Sequence, residues 1–272
     1  MIVFPKAKIN LGLNITGKRP DGYHDIETIF YLIGLSDALE FVVSDNTADK
    51  DILSTTGINT GDKPEDNLVI KTLRKLREKH TIPHLKIHLH KVIPVGAGLG
   101  GGSSDSAYFL KAINRYFELE ISDRELKNMA LELGSDCPFF IEGIPAFASG
   151  RGEILSPVMD VLSGYYLMLL NPGVGINTRE AYQNCIPKKP FNSLTDLITH
   201  PITEWKTLIS NDFEDFAVKK YSIIEKIKNE LYTAGALFSL MSGSGSSVYG
   251  IFQEKPKVSD KLKNYIIYEG VM

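Results

Sequence analysis

Residues 94–107, P-V-G-A-G-L-G-G-G-S-S-D-S-A, constrain this chain more than any other stretch. Five of the seven residues 96–102 are glycine. Lacking a Cβ, such residues reach positive φ and let the backbone approach a ligand, so that successive N–H groups can point to one place. From Ser103 onward Ala107, Leu110, Ile113 and Phe117 recur at helical spacing, and Ser103, Ser104 and Asp105 offer cap-type side chains. A glycine loop therefore feeds a helix N-terminus. Unpaired amides and the positive end of the helix dipole then face the same point, which suits phosphate.

Several classes could own such a loop. A Walker A loop needs G-x-x-x-x-G-K-[ST], and no lysine lies between Gly96 and Ser106 to reach a terminal phosphate, so that class is excluded. Gly96, Gly98 and Gly101 satisfy G-x-G-x-x-G after a strand-like stretch at 85–92. Yet Pro94 interrupts the step from strand to loop, and no second strand ending in an acidic residue comes at the expected distance. An NAD-binding oxidoreductase thus fits poorly. A flexible linker fits worse, because a buried-type strand and an amphipathic helix flank the loop.

At 272 residues, 43% hydrophobic and 23% charged, the chain is long enough for two modest domains, expected at 1–156 and 157–272. A net charge of -3 leaves no basic footprint, so no nucleic acid partner is expected. Cys137 and Cys185 are too few for a disulfide framework and suit a reducing compartment. The start M-I-V-F-P-K-A-K lacks the apolar core of a signal peptide, and the longest apolar run, residues 165–170, is too short to span a bilayer. A cytoplasmic protein with no membrane partner is expected, as a monomer or weak homodimer.

Residues 6–16 alternate, with Ala7, Ile9, Leu11, Leu13 and Ile15 on one face and Lys6, Lys8, Asn10, Gly12 and Asn14 on the other. The pattern alone makes a half-buried strand whose polar face, with Lys8 and Asn10, is solvated. Residues 16–28 read as a turn-rich loop presenting Tyr23 and His24, types that commonly just pack but also suit stacking on a base and reading its edge. Residues 29–44 hold two strand-like runs around Gly34, and residues 45–65 are polar with turns at Thr56-Gly57 and Thr60-Gly61-Asp62. Asn67 is a natural cap for a helix over 68–80 with a basic outer face. His88 and His90 share a strand face without a third ligand at metal spacing.

Ser122 and Glu125 form a capping box for a helix that stops at Gly134. Asp136 comes next in G-S-D-C-P-F-F as a lone loop carboxylate, a residue that more often forms turns than catalyses. Residues 146–155 look like a strand pair around a glycine turn. In the second half a strand at 165–170 precedes a helix capped by Asn177 and Thr178 and carrying Tyr182, and short helices fill 192–219. Ser222 and Glu225 read as another capping box, and two strands flank S-G-S-G-S at 242–246 as a hairpin. Helices and strands in both halves imply an α+β architecture.

The sequence P-V-G-A-G-L-G-G-G-S-S closely resembles the phosphate-binding motif of the GHMP kinase superfamily, and S-G-S-G-S resembles its third motif. P-K-A-K-I-N-L and G-K-R-P-D-G-Y-H-D-I-E-T resemble the N-terminal signature of the branch that serves the non-mevalonate isoprenoid pathway. The resemblance spans nearly the whole chain. It implies a two-domain GHMP kinase fold, with a ribosomal protein S5 domain 2-like N-terminal domain and a ferredoxin-like C-terminal domain. It also implies an ATP-dependent kinase that uses Mg2+ and takes a small-molecule substrate with a cytidine diphosphate moiety.

By that resemblance, ATP binding falls to Asn67, Lys91, Pro94, Val95, Gly96, Ala97, Gly98, Leu99, Gly100, Gly101, Gly102, Ser103, Ser104 and Asp105. Catalysis falls to Lys8 and Asp136. Asn10, Tyr23, His24, Thr178 and Tyr182 take the substrate side, with Tyr182 opposing Tyr23 across the base. Ser135 and Cys137 depart from the G-A-D-V-P-F-F wording usual in the family without removing a required group. No metal ligand is designated. The competing readings are a sibling kinase acting on a sugar, homoserine or mevalonate, and a catalytically silent nucleotide-binding regulator.

Overall fold

A period of two residues does produce strands here, and the computed structural model describes residues 1–45, 50–61 and 63–272. The strands are β1 (Ile2–Val3), β2 (Lys6–Lys18), β3 (His24–Ser36), β4 (Ala38–Val43), β5 (Ile52–Gly57), β6 (Leu85–Lys91), β7 (Ala146–Ser149), β8 (Ile154–Pro157), β9 (Tyr166–Leu170), β10 (Phe238–Met241), β11 (Val248–Phe252) and β12 (Ile266–Val271). Among the described residues they form three four-stranded sheets, in the orders β1-β4-β6-β5, β2-β3-β7-β8 and β10-β11-β9-β12. In the first, β4 is antiparallel and β5 parallel to β6. In the third, β11 and β12 flank β9 antiparallel.

Several elements differ from the sequence expectation. Past Lys6, which is exposed at the start of the strand, the polar face of β2 is buried: Lys8 is 4% exposed and Asn10 1%. The expected loop at 16–28 shrinks to residues 19–23, where the Tyr23 carbonyl accepts the Arg19 N–H at 2.8 Å, and His24 already belongs to β3. β3 runs straight through Gly34, because the Tyr268 side chain fills the space a Cβ would need, and the break falls at Asp37 instead. β5 lies in the stretch expected to be polar turns. Its Ser54 and Thr56 hydrogen-bond the rings of His88 and His90. Asp62 of the expected Thr60-Gly61-Asp62 turn lies outside the described residues.

Caps decide where the helices begin. Asn67 Oδ1 accepts from the Val69 N–H at 2.9 Å and opens Leu68–Arg77, three residues shorter than the expected 68–80. The Ser122/Glu125 box opens Asp123–Leu133, with Gly134 at its C-cap. Ser222, by contrast, is the first residue of Ser222–Thr233 and no side chain caps that helix, so the second expected capping box is absent. A short helix, Cys137–Glu142, directly follows Asp136 with Pro138 in its first turn, where φ near -65° and the missing N–H are harmless.

By their contacts the residues fall into two compact units that interleave in sequence. One comprises Met1–Ala7, Leu35–Val95 and Gly100–Gly143, the other Lys8–Gly34, Gly96–Leu99 and Ile144–Met272. In the second unit an apolar core gathers Leu13 and Ile15 of β2 with Met168, Leu170, Phe213, Ile224, Ile227, Leu231, Met241 and Val248. Buried Asn211 is the polar pin of this core. Its Nδ2 donates to the carbonyls of Met241 and Gly243, each at 2.8 Å, and its Oδ1 accepts from the Phe213 N–H at 3.0 Å. Asn211→Ala leaves those backbone groups unpaired in the interior and should destabilise the protein by about 2–4 kcal/mol, read as a lower urea midpoint with an unchanged m-value.

Candidate active site

In the second unit, two glycine turns meet backbone to backbone. Gly98 adopts φ +77°, and a Cβ there would overlap the carbonyl of Ser242. On the facing turn Gly243 adopts φ +55°, and a Cβ there would stand 3.2 Å from the Gly98 Cα. Only glycine fits both places. Ser242 Oγ donates to the Gly98 carbonyl at 2.9 Å, and the Ala97 carbonyl accepts the Ser247 N–H at 3.2 Å. The 242–246 turn is the hairpin loop between β10 and β11, as expected from its pattern, and its second job is to hold residues 97–98.

β2 passes the same place. The Lys8 N–H donates to the Leu99 carbonyl at 3.0 Å, and the Asn10 N–H to Ser242 Oγ at 3.2 Å. Tyr249 Oη donates to the Asn10 carbonyl at 2.9 Å. The side chains form a relay: Lys8 Nζ donates to Asn10 Oδ1 at 2.5 Å, Asn10 Nδ2 to Thr28 Oγ1 at 2.8 Å, and Thr28 Oγ1 to the Gly12 carbonyl at 2.5 Å. The Lys8 ammonium also lies 5.0 Å from the centre of the Phe30 ring. Burying these polar groups of β2, where a solvated face was expected, is tolerable because each is hydrogen-bonded.

Rings gather in the same unit. His24 stacks on Tyr182 with centroids 4.8 Å apart at 17°, and Tyr182 meets Phe213 edge-on at 4.9 Å. Tyr23 is 55% exposed, with the Arg151 guanidinium 4.9 Å from its centroid. Burial first, and the charge of Lys18 second, lower the His24 pKa, so its imidazole is neutral at pH 7 and offers one donor and one acceptor. Thr178 Oγ1 is hydrogen-bonded with Ser244 Oγ at 3.0 Å, which joins its helix to the 242–246 turn.

The first unit holds the helix that the glycine loop feeds. Gly100, at φ +70°, is the N-cap of helix Gly101–Tyr116, so Ser103, Ser104 and Asp105 lie within its opening turns and do not cap it. Ser104 Oγ donates to the Lys6 carbonyl at 2.7 Å. Lys91 and Asp105, expected among the ATP contacts, are both buried and bond each other, Nζ to Oδ2, at 2.7 Å. Asn67 spends its Oδ1 on the helix cap. Half-buried Asp136 precedes Cys137–Glu142 at φ -80°, ψ -18° and does not cap it. Burial pushes the Cys137 thiol up to about 11, against a hydrogen bond with Ser103, so this cysteine is inert at neutral pH.

Two family models match the chain, the GHMP kinases N terminal domain over residues 67–144 and the GHMP kinases C terminal domain over residues 193–267. A protein of Parabacteroides distasonis named 4-diphosphocytidyl-2-C-methyl-D-erythritol kinase is 50% identical over 273 residues, 99% of each chain. Its namesake from Bacteroides fragilis is 48% identical over 95% of this chain and 94% of its own. This chain belongs to the 4-diphosphocytidyl-2-C-methyl-D-erythritol kinase family of GHMP kinases. A crystal structure of 4-(cytidine 5'-diphospho)-2C-methyl-D-erythritol kinase superposes with a TM-score of 0.75 at 30% identity, over 92% of this chain and 90% of the other. Mevalonate kinase from Methanococcus jannaschii, with a TM-score of 0.67 at 15% identity over 97% and 92%, shares the fold.

Within this kinase family the glycine loop, its backing turn and β2 are therefore the elements to explain. Ser242, Thr28, Arg151 and Asp37 were not singled out from the sequence. Ser242 had a signal in the S-G-S-G-S motif and Thr28 in G-K-R-P-D-G-Y-H-D-I-E-T, whereas Arg151 and Asp37 lie in ordinary strand and turn contexts. Gly98→Ala should abolish the close approach of the two turns. The expected outcome is a lower Tm and an ATP affinity weakened about tenfold or more, by equilibrium binding.

Proposed function

We propose that this kinase transfers the γ-phosphoryl group of ATP to the 2-hydroxyl of 4-diphosphocytidyl-2-C-methyl-D-erythritol, giving the 2-phosphate and ADP in isoprenoid precursor biosynthesis. The observation that carries this reading is 50% identity across 99% of both chains with a relative of that name. The Tyr23-His24 pair, which a sugar, homoserine or mevalonate would not need, supports the cytidine-bearing acceptor over its siblings. The proposed halves, 1–156 for nucleotide and 157–272 for the C-terminal domain, have the two family matches on either side of the division.

Phosphoryl transfer asks for alignment of the attacking and leaving oxygens, for neutralisation of charge on the moving group, and for a group to take the hydroxyl proton. In this reading the backbone N–H groups of residues 94–104 cradle the phosphates, and the start of Gly101–Tyr116 adds its dipole. Asn67 turns its amide nitrogen toward the adenine. Lys91 and Asp105, being paired with each other, serve the nucleotide through the backbone they hold. Asp136 accepts or orients the hydroxyl proton while Lys8 stabilises the developing charge and Asn10 positions the acceptor. Tyr23, His24, Thr178 and Tyr182 read the cytidine, with His24 moving off Tyr182 as the base enters.

Mg2+ would arrive on the phosphates, since it is usually held by substrate phosphates, one or two carboxylates and several waters. No helix of the described residues is long and apolar enough to cross a membrane. Work in the cytoplasm as a monomer or weak homodimer, without nucleic acid, completes the reading.

The deciding assay is ADP release with Mg-ATP and, separately, the cytidylyl substrate, homoserine, mevalonate and galactose. Turnover on the first alone is expected, and turnover on another acceptor instead would overturn the assignment. Asp136→Asn and Lys8→Ala should each lower kcat by about 10²–10⁴-fold while remaining folded. Tyr23→Ala should raise the acceptor's KM more than it lowers kcat, because it removes binding common to ground and transition states.

A further inference from the structure

We infer that Asp37, Lys91 and Asp105 form a buried positioning site that carries one proton, with Asp37 the anion and Asp105 the neutral acid. All three lie in the first unit and are almost fully buried, at 1%, 3% and 3% exposure. Asp37, between β3 and β4, has only acceptor roles. Its Oδ1 takes the N–H groups of Val92 and Ile93 at 2.5 and 2.8 Å, and its Oδ2 takes Lys91 Nζ. Asp105, in helix Gly101–Tyr116, accepts Lys91 Nζ on Oδ2, while its Oδ1 accepts nothing from the described residues. A hydrogen on Oδ1 therefore displaces no bond.

Two buried carboxylates on one ammonium would leave a net negative charge away from water, which folded proteins avoid by binding a proton. Lys91 and Asp37 are the charged groups that face Asp105. From the adjacent helix Leu68–Arg77 the nearby polar group is neutral Thr72, bonded to Ser106 at 2.8 Å. Burial above all pushes the Asp105 carboxyl up to about 8, with Lys91 opposing and Asp37 reinforcing. Burial works against the Lys91 ammonium, yet the two acids outweigh it and raise its pKa.

Position gives the site its task. Asp37 grips Val92 and Ile93, where the chain leaves β6 for the glycine loop. Lys91 ties that grip to the opening turns of the helix beyond the loop, and a Cβ on Gly101 would lie 3.3 Å from its Nζ. The two flanks of residues 94–100 are thus held by one ammonium. Ionising Asp105 adds a negative charge under a helix start that serves an anion, and so weakens the hold on nucleotide at alkaline pH.

The proton itself is testable without turnover. A carboxyl that titrates near 3.8 unfolded and about 8 folded binds an extra proton on folding, so its stabilising contribution is complete below about pH 4 and is lost as the pH rises to about 8. Asp105→Asn removes that slope. Its Tm relative to wild type should rise by about 2 °C or more between pH 5 and pH 8.5, and its MgATP-induced gain in Tm should hold at pH 8.5 where that of wild type shrinks. Asp37→Asn should be less stable at every pH, because the Val92 and Ile93 N–H groups lose their anion, and with a single acid left on Lys91 it should lose the slope as well. A pH-independent difference for Asp105→Asn would overturn the inference. Should Asp105→Asn fail to fold, infrared spectra of the wild type decide, by a carboxylic-acid band that is present at pH 6 and bleaches toward pH 9, or is absent throughout. Loss of any MgATP effect at all pH values would count against the kinase reading and not against the proton.

Discussion

The close approach of Gly98 to Ser242 and Gly243 is the contact on which the second unit's part of the site depends. Two backbones can come that near only where neither carries a Cβ, and both turns use left-handed φ to do so. Once they meet, Ser242 has its hydroxyl between the Gly98 carbonyl and the Asn10 N–H, and β2 is drawn in with it. A strand whose polar side would otherwise face water is covered instead. Lys8, Asn10 and Thr28 then have to satisfy one another, which turns three ordinary side chains into a hydrogen-bonded row of defined geometry.

Elsewhere the same physical demand takes ionic form. Asp37, Lys91 and Asp105 are too buried for a surface ion pair and too well bonded to be accidental. Such clusters are weak sources of net stability, because desolvation consumes much of the attraction, but they are intolerant of rearrangement. Holding Val92, Ile93 and the first turns of Gly101–Tyr116 in one arrangement is a task for which that intolerance is useful. Preorganised donors stabilise charge only if they do not have to move when it appears. The aromatic region contrasts with both clusters: Tyr23 is more than half exposed and His24 is stacked on Tyr182.

Much of this was legible in one dimension. The glycine loop and its helix, the Asn67 cap, the Ser122/Glu125 box and the β10–β11 hairpin all come from local rules, and local rules act within a few residues of the side chain concerned. The errors have a common cause. Alternation in β2 predicted a solvated face, but what covers Lys8 and Asn10 comes from residues 28, 242 and 249. Gly34 looked like a break and proved to be a place where Tyr268 packs against a strand. Polar residues 52–57 looked like turns and became an edge strand because β6 offered them a partner. Ser222 had the composition of a cap without the geometry.

The sequence by itself determined the α+β class, the glycine loop that feeds a helix at residues 94–107 and, by its motifs, the kinase family, since each is encoded by residue type at short spacing. Tertiary structure alone decided that Lys8 and Asn10 are buried, that S-G-S-G-S is a backbone support as well as a hairpin turn, and that Lys91 and Asp105 face each other and Asp37. The physical reason is distance along the chain. Burial, close backbone contact and the sharing of an ammonium by two acids depend on partners tens to hundreds of residues away, and no local pattern records which partners will arrive.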